Sequence, residues 1–106
     1  MSFRGGMGEL MRQAGRIQRK VEQRREELNV ETFEASAGND KVTAVANGVP
    51  ELAEIRIDPE LLQQEDMEMV QDLVVAAANA ALTRAREHVD AEIEKITGGL
   101  SIPGIG

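Results

Sequence analysis

The chain lacks several residue types, and each absence narrows what it can do. Its 106 residues include no Cys, no Trp and no Tyr, and only two Phe. Without Cys there is no disulfide, no thiolate metal site and no Cys nucleophile, a composition that suits a reducing cytosol. The scarcity of aromatic rings also removes the platforms on which single-stranded nucleic acid usually stacks. Packing of Ala, Val and Leu between slender helices is expected instead, within one domain spanning residues 1–106.

Long apolar runs are also missing. No stretch approaches the roughly 20 apolar residues that a membrane span needs, and no signal-peptide pattern opens the chain. We therefore expect a cytoplasmic protein with no membrane partner. Gly-rich residues 1–6 and the Gly/Pro-containing residues 98–106 are expected to be flexible.

Negative charge dominates, but it is unevenly distributed. The net charge is −7, yet residues 1–25 hold seven basic and two acidic groups, a balance of +5. Residues 26–106 hold five basic and 17 acidic groups, a balance of −12. This asymmetry indicates a polyanionic partner that meets one part of the chain. The alternative is that a helix face needs charge for solubility and happens to be basic.

Residues 7–28 are predicted to form one amphipathic helix with two different sides. At about 100° per residue the apolar positions fall in one arc, and several step by seven. They are Met7, Leu10, Met11, Ala14, Ile17, Val21 and Leu28. Arg12, Arg16, Arg19 and Lys20 lie on the opposite side, and Arg24 interrupts the seven-residue pattern. The apolar seam predicts docking against another helix.

After this helix the apolar period changes from 3.6 to 2. Residues 31–37, 41–47 and 51–58 alternate as strands, and their short connections predict a three-stranded antiparallel meander. In the third strand Ala53, Ile55 and Ile57 are expected to face the core. Asn47-Gly48 is a short hairpin signal because both residues tolerate positive φ.

Two helices follow the meander. Asp58 and Pro59 mark the start of a short helix that ends near residues 63–65. Asp66 is placed to cap a second helix over residues 67–97, which Gly98 stops. A helix of that length spans about 46 Å, whereas a compact domain of this size is roughly 33 Å across. The long helix should overhang its domain, so a homodimer is expected to cover the apolar seams.

Four segments in this order resemble the YbaB/EbfC family of bacterial nucleoid-associated proteins. They are GGMGELMRQAGRIQRKVEQ at 5–23, ANG at 46–48, IRIDPELL at 55–62 and QDLVVAAANAALTRA at 71–85. The resemblance covers nearly the whole chain. It implies an α+β fold with a long first helix, a three-stranded meander, a short helix and a long last helix, assembled as a tweezer-like homodimer with helical arms.

The resemblance also implies a function. Members of the family bind duplex DNA, often with little sequence preference, and organise the nucleoid or modulate expression. Their DNA-contacting surface is associated with the first and last helices. Carried over to this chain, that surface comprises Arg12, Arg16, Arg19, Lys20 and Arg24 and, as weaker candidates, Arg84 and Arg86. The end of the last helix is more acidic than basic, which argues against a DNA role there.

DNA binding also has a physical basis in the residues themselves, which leave a structural alternative equally open. Arg12, Arg16 and Arg19 are spaced i, i+4, i+7, so they project from one helix face towards phosphates. The structural alternative is a solvated face paired to nearby acids at positions 22, 26 and 27. A second alternative function is an acidic helical dimeric scaffold that binds other proteins, with the Met7/Met11 and Met67/Met69 pairs as adaptable docking surfaces.

Enzymatic activity is not expected. His88 is the only His, and Glu92 and Arg84 flank it at helical spacing. One His and one carboxylate make an incomplete ligand set, so no metal, cofactor or small-molecule substrate is predicted. Neither a Gly-rich phosphate loop after a strand nor a nucleophile elbow occurs.

Overall fold

The computed structural model describes residues 3–98, with side chains from Gly6 onward. The elements are α1 (Phe3–Asn29), β1 (Thr32–Ala37), β2 (Val42–Asn47), β3 (Leu52–Ile57), α2 (Pro59–Gln64) and α3 (Met67–Thr97). The predicted α+β order is confirmed. Residues 3–6 belong to α1 and Gly98 caps α3, so these parts of the predicted flexible ends have regular backbone. The other residues of those ends lie outside the described part.

Local capping chemistry sets the boundaries of the last two helices. The Asp58 carboxylate accepts a hydrogen bond from the Glu60 N–H at 2.9 Å, and Pro59 occupies the first turn of α2. The Asp66 carboxylate accepts from the Met69 N–H at 2.8 Å and begins α3. Each cap satisfies a backbone donor that the first helical turn leaves open. Gly98 ends α3 in the left-handed conformation, with φ 64°.

The sheet has the order β1-β2-β3, with antiparallel pairing throughout. One face packs on α3, which brings three fully buried alanines, Ala77, Ala81 and Ala85, against the strands. Their spacing of four residues forms a flat stripe, so the helix can approach the sheet closely. Phe33, Val42, Ala44 and Ala46 supply the strand side of this core.

Two details of the sheet differ from the sequence-based expectation. Ala46 pairs with Leu52 although Val45 pairs with Glu54, so Ala53 is an extra residue in a bulge. Ala53 is therefore exposed, and the prediction that it faces the core is wrong. Ile55 and Ile57 do pack against the core.

The β2–β3 connection is also longer than a two-residue turn. Neither Asn47 nor Gly48 has positive φ; the left-handed residues are Gly38, Asn39 and Asp40 in the β1–β2 turn. The Asn47 side-chain oxygen instead accepts hydrogen bonds from the Val49 and Glu51 N–H groups, at 3.0 and 2.9 Å. Side-chain bonding of this kind replaces the turn geometry that the sequence predicted.

The described chain is a rod rather than a sphere. Its principal extents are 77 × 18 × 18 Å and its radius of gyration is 20.3 Å, against about 13 Å for a compact domain of this length. The elongation comes from α1 and α3, which each exceed the width of the small sheet. One end of the rod is the sheet with α2 and most of α3, and the other is α1 alone.

Candidate nucleic-acid interface

The N-terminal half of α1 projects from the rest of the chain as an arm. Arg24 contacts Glu92, and Glu31 lies 3.8 Å from His88, so α1 and α3 run antiparallel. In that register Gly98 lies level with about residue 18 of α1. Residues 3–18, called the arm below, therefore extend about 22 Å beyond the described end of α3.

The apolar side of the arm is not covered within the described chain. Val21 and Leu28 are 1% and 0% exposed and lie in the half of α1 that runs beside α3. Met7, Leu10 and Met11 continue the same helix side, yet they are 66%, 66% and 70% exposed. The seam that the sequence predicts is thus split into a buried half and a solvent-facing half.

The opposite side carries Arg12, Arg16, Arg19 and Lys20, called the basic stripe below. All four are exposed. Because they lie within nine consecutive helical residues, their charges spread over about 12 Å along one helix face. The helix alone fixes this arrangement, so the stripe needs no tertiary contact to form.

The stripe is only weakly neutralised by acids of its own chain. Glu9 is 2.8 Å from Arg12 and 3.7 Å from Arg16, and all three side chains are more than half exposed. Ion pairs this exposed contribute little and exchange readily for other partners. Within residues 3–98, no carboxylate lies within 4.0 Å of Arg19 or Lys20. Of the three acids in the structural alternative, at positions 22, 26 and 27, only Glu27 forms an ion pair in this part of the chain, and its partner is Arg24.

Arg24 has different surroundings from the basic stripe. Its guanidinium is 2.8 Å from Glu92, 3.0 Å from Glu27 and 3.5 Å from Glu31, and its side chain is only 27% exposed. The hydrogen bonds to Glu92 and then Glu27 raise the pKa of Arg24. This arginine joins the first helix to the last.

Glu92 is the α3 partner of Arg24 in this ion pair. Its side chain is 16% exposed and lies between Arg24 and Lys95, whose Nζ is 2.6 Å from the carboxylate. The hydrogen bond from Lys95, followed by that from Arg24, lowers the pKa of Glu92 to about 2. The carboxylate therefore stays charged across the physiological range.

Arg84 and Arg86 lie apart from the basic stripe. Arg84 donates a hydrogen bond to the backbone oxygen of Glu34 on the edge strand β1, at 2.9 Å. Arg86 is exposed on the same part of α3. In the antiparallel register, Arg84 lies about 20 Å along the rod from the level of Arg19. One chain therefore brings Arg12, Arg16, Arg19 and Lys20 together but does not add the α3 arginines to them.

Sequence reasoning missed two acids that shape this surface. Glu9 precedes Arg12 by three residues, a spacing that signals a helical ion pair. Glu92 is 68 positions from Arg24, so no local pattern reveals their contact. Arg25 was also left out of the candidates; it is exposed on α1 but points about 120° away from Arg19, off the stripe.

The other features considered from the sequence do not form a competing site. The His88 ring lies 5.1 Å from the Phe33 ring at a tilt of 48°, and its Nε2 is 3.8 Å from Glu31. Between residues 3 and 98 there is no group of three His, Asp or Glu side chains that could hold a metal ion. In the same range no helix is both long enough and apolar enough to cross a membrane.

The sequence of the chain matches a known protein family. The model of the YbaB/EbfC DNA-binding family matches residues 4–100. A nucleoid-associated protein of Acetivibrio thermocellus is 51% identical over 104 residues, covering 97% of this chain and 92% of that protein. One of Myxococcus xanthus is 46% identical over 95 residues, 90% of each. These names describe DNA-binding and nucleoid-associated proteins rather than enzymes, in agreement with the sequence-based expectation.

A solved structure supports the fold independently. The crystal structure of the uncharacterized protein HP0035 from Helicobacter pylori superposes with a TM-score of 0.62 at 24% identity. The match covers 71% of this chain and 87% of that one. The match to the family model and the identities to its relatives lead to one conclusion: the chain belongs to the YbaB/EbfC DNA-binding family.

Proposed function

We propose that this protein binds duplex DNA as a homodimer, mainly through phosphate contacts and with little sequence specificity, in the nucleoid of a bacterial cytoplasm. The observation that carries the proposal is the basic stripe, which begins on the projecting arm and continues to Lys20 in a chain that is otherwise strongly acidic. In this setting it organises the nucleoid or modulates expression. No cofactor takes part.

The chemistry of the stripe favours phosphate over base contacts. Guanidinium groups bind phosphate oxygens with two parallel hydrogen bonds, and a row of cations on one helix face follows the charge of a backbone rather than a base sequence. The acidic remainder repels DNA, so approach through the arm is favoured. Arg84 and Arg86 are secondary candidates, because the chain places them beside the sheet rather than on the arm.

The exposed apolar side of the arm supports the homodimer. Three large apolar side chains, Met7, Leu10 and Met11, stand in solvent on a helix whose continuation is buried. A second copy supplies an equivalent apolar arm, and a twofold arrangement pairs the two seams. Such a dimer presents two basic stripes, which doubles the number of phosphate contacts.

The test is a mobility-shift assay on an unrelated duplex at low and moderate salt. Eight phosphate contacts in a dimer predict that affinity falls about 10⁴-fold between 50 and 200 mM salt. The variant Arg12→Glu/Arg16→Glu/Arg19→Glu is expected to abolish the shift while sedimentation still reports a dimer. A monomer mass for the wild type at all concentrations would refute the dimer.

A matched pair of single variants controls for net charge. Arg19→Glu and Arg25→Glu each remove one positive charge and add one negative charge on exposed positions of α1. Only Arg19→Glu is expected to weaken binding strongly. An equal loss in both variants contradicts a defined contact face.

The alternative function is an acidic scaffold that binds other proteins through exposed methionines. Met7 and Met11 on the arm, and Met67 and Met69 at the start of α3, are 66%, 70%, 64% and 44% exposed. If the protein is such a scaffold, DNA shows no mobility shift with it at any salt concentration. The same mobility assay therefore separates the two functions.

A further inference from the structure

Within the described chain, the contacts that set the direction of the arm lie at one short joint. Val21 and Leu28 are buried where α1 contacts α3, and Arg24 lies between them on the same side of the helix. N-terminal to Val21, Met7, Leu10 and Met11 are each about two-thirds exposed. Any tilt at the joint is magnified along the arm, because the arm is a single rigid helix.

Arg24 fastens this joint with a geometry that differs from a surface ion pair. Nη2 contacts Glu92 on α3 at 2.8 Å, while Nη1 contacts Glu27 on α1 at 3.0 Å. The side chains of Arg24 and Glu92 are 27% and 16% exposed, whereas that of Arg12 is 64% exposed. Loss of Glu92 leaves Arg24 paired only with Glu27 and Glu31, neither of which belongs to α3, so the ion pair between the two helices is lost.

We propose that Arg24 and Glu92 are positioning residues, which hold the arm in the orientation where its basic stripe meets DNA. This inference rests on the proposed function. It assigns Arg24 a different role from the phosphate contact that the sequence suggested. The guanidinium already has carboxylate partners, and it faces α3 rather than the stripe.

The two roles predict opposite effects when Glu92 is removed. If Arg24 binds phosphate, loss of Glu92 frees both Arg24 and Lys95 and reduces the negative charge, so DNA binding becomes tighter. If Arg24 positions the arm through Glu92, the same change loosens the joint and binding becomes weaker. An arm that is correctly oriented in only a third of molecules raises the apparent Kd about threefold.

The experiment compares Glu92→Met with Glu94→Met in the full-length protein. Both variants remove one carboxylate from the same helix, but Glu94 is exposed, and no side-chain ion pair of it occurs among residues 3–98. Fluorescence anisotropy with an unrelated duplex reports the Kd of each. We expect Glu92→Met to bind at least about threefold more weakly than Glu94→Met. Equal or tighter binding by Glu92→Met overturns the inference.

A rescue variant shows that the effect passes through the pair. In Arg24→Met/Glu92→Met two apolar side chains replace the ion pair, a change that often preserves packing. We expect the double variant to recover the affinity that Glu92→Met loses. A double variant no better than Arg24→Met indicates that the guanidinium itself contacts DNA, and it contradicts the positioning role.

The orientation of the arm can be measured without DNA. Because the chain has no Cys, spin labels at Gln13→Cys and Gln71→Cys report the distance between the arm and α3 in dimers diluted with unlabelled protein. We expect a broader distance distribution in Glu92→Met than in Glu94→Met. The same distribution in both overturns the inference even if the variants bind DNA differently.

Failure of the proposed function gives a different result. If the triple reversal at Arg12, Arg16 and Arg19 leaves DNA binding intact, the arm is not the DNA site and the proposed function fails. If that reversal abolishes binding but Glu92→Met does not weaken it, only the positioning inference fails.

Discussion

The salt dependence of DNA binding can identify which arginines contact phosphate, one residue at a time. Each phosphate contact contributes about −0.9 to the slope of log K against log salt, so four contacts per chain give a slope near −7 for a dimer. Replacing one contacting residue by Gln removes two contacts per dimer. The slope is then expected to become about 1.8 less steep.

Three positions on α1 allow a sharp comparison. Arg19 belongs to the basic stripe and has no carboxylate within 4.0 Å in the described part of the chain, so Arg19→Gln should change the slope by the full amount. Arg25 is exposed but lies off the stripe, so Arg25→Gln should leave the slope unchanged. Glu9 competes for Arg12 and Arg16 at 2.8 and 3.7 Å, so Glu9→Gln should tighten binding.

Fluorescence anisotropy titrations at several salt concentrations between 50 and 200 mM measure all of these slopes on one duplex. The slopes of Arg19→Gln and Arg25→Gln must differ for the reasoning to hold. If both variants keep the wild-type slope, the basic stripe does not contact phosphate. If both become less steep by the same amount, binding depends on overall charge rather than on this helix face.

Three further predictions concern stability. A Cβ at Gly48 would overlap the backbone carbonyl of Leu28, so Gly48→Ala should lower the free energy of unfolding by about 1–3 kcal/mol. A Cβ at Gly15 would meet only the flexible end of Arg19, at 3.4 Å, so Gly15→Ala should raise the free energy of unfolding by about 1 kcal/mol. Denaturant unfolding measures both variants, and equal effects would contradict the geometry. The pKa of Glu92 is lowered from 4.5 to about 2 in the folded state, so its stabilising effect is present above about pH 4.5 and is lost as pH falls towards 2. The gap in Tm between wild type and Glu92→Met should therefore shrink on acidification from pH 7 to pH 2.5, and a constant gap would show that the charge of Glu92 is irrelevant.

The features that the sequence predicts well are those that local chemistry determines. Asp58 and Asp66 cap the helices that follow them, because a short side chain can reach the free N–H groups of its own helix. The basic stripe is equally local, since helical geometry alone brings residues three and four apart onto one face. Its exposure follows from its position opposite the apolar seam.

Features set by distant contacts could not be predicted from the local pattern. Strict alternation suggested that Ala53 faces inward, but the bulge opposite Val45 and Ala46 shifts it outward. The Asn47-Gly48 pair suggested positive φ, yet close approach of Gly48 to Leu28 of α1 accounts for the glycine instead. In both cases the deciding neighbour belongs to another element.

The N-terminal helix shows why one pattern can describe two environments. The apolar repeat is as regular at Met7 and Leu10 as at Val21 and Leu28, yet the first pair is solvent-facing and the second is buried. Periodicity gives the direction of a face but not what covers it, and α3 reaches only the C-terminal half. Arg24 interrupts the apolar repeat in the half of α1 that α3 covers. Its partner Glu92 lies 68 residues further along the chain. The same residue that interrupts the apolar seam thus forms an ion pair between the two long helices, which is why its role has to be tested through Glu92 and not through its own charge.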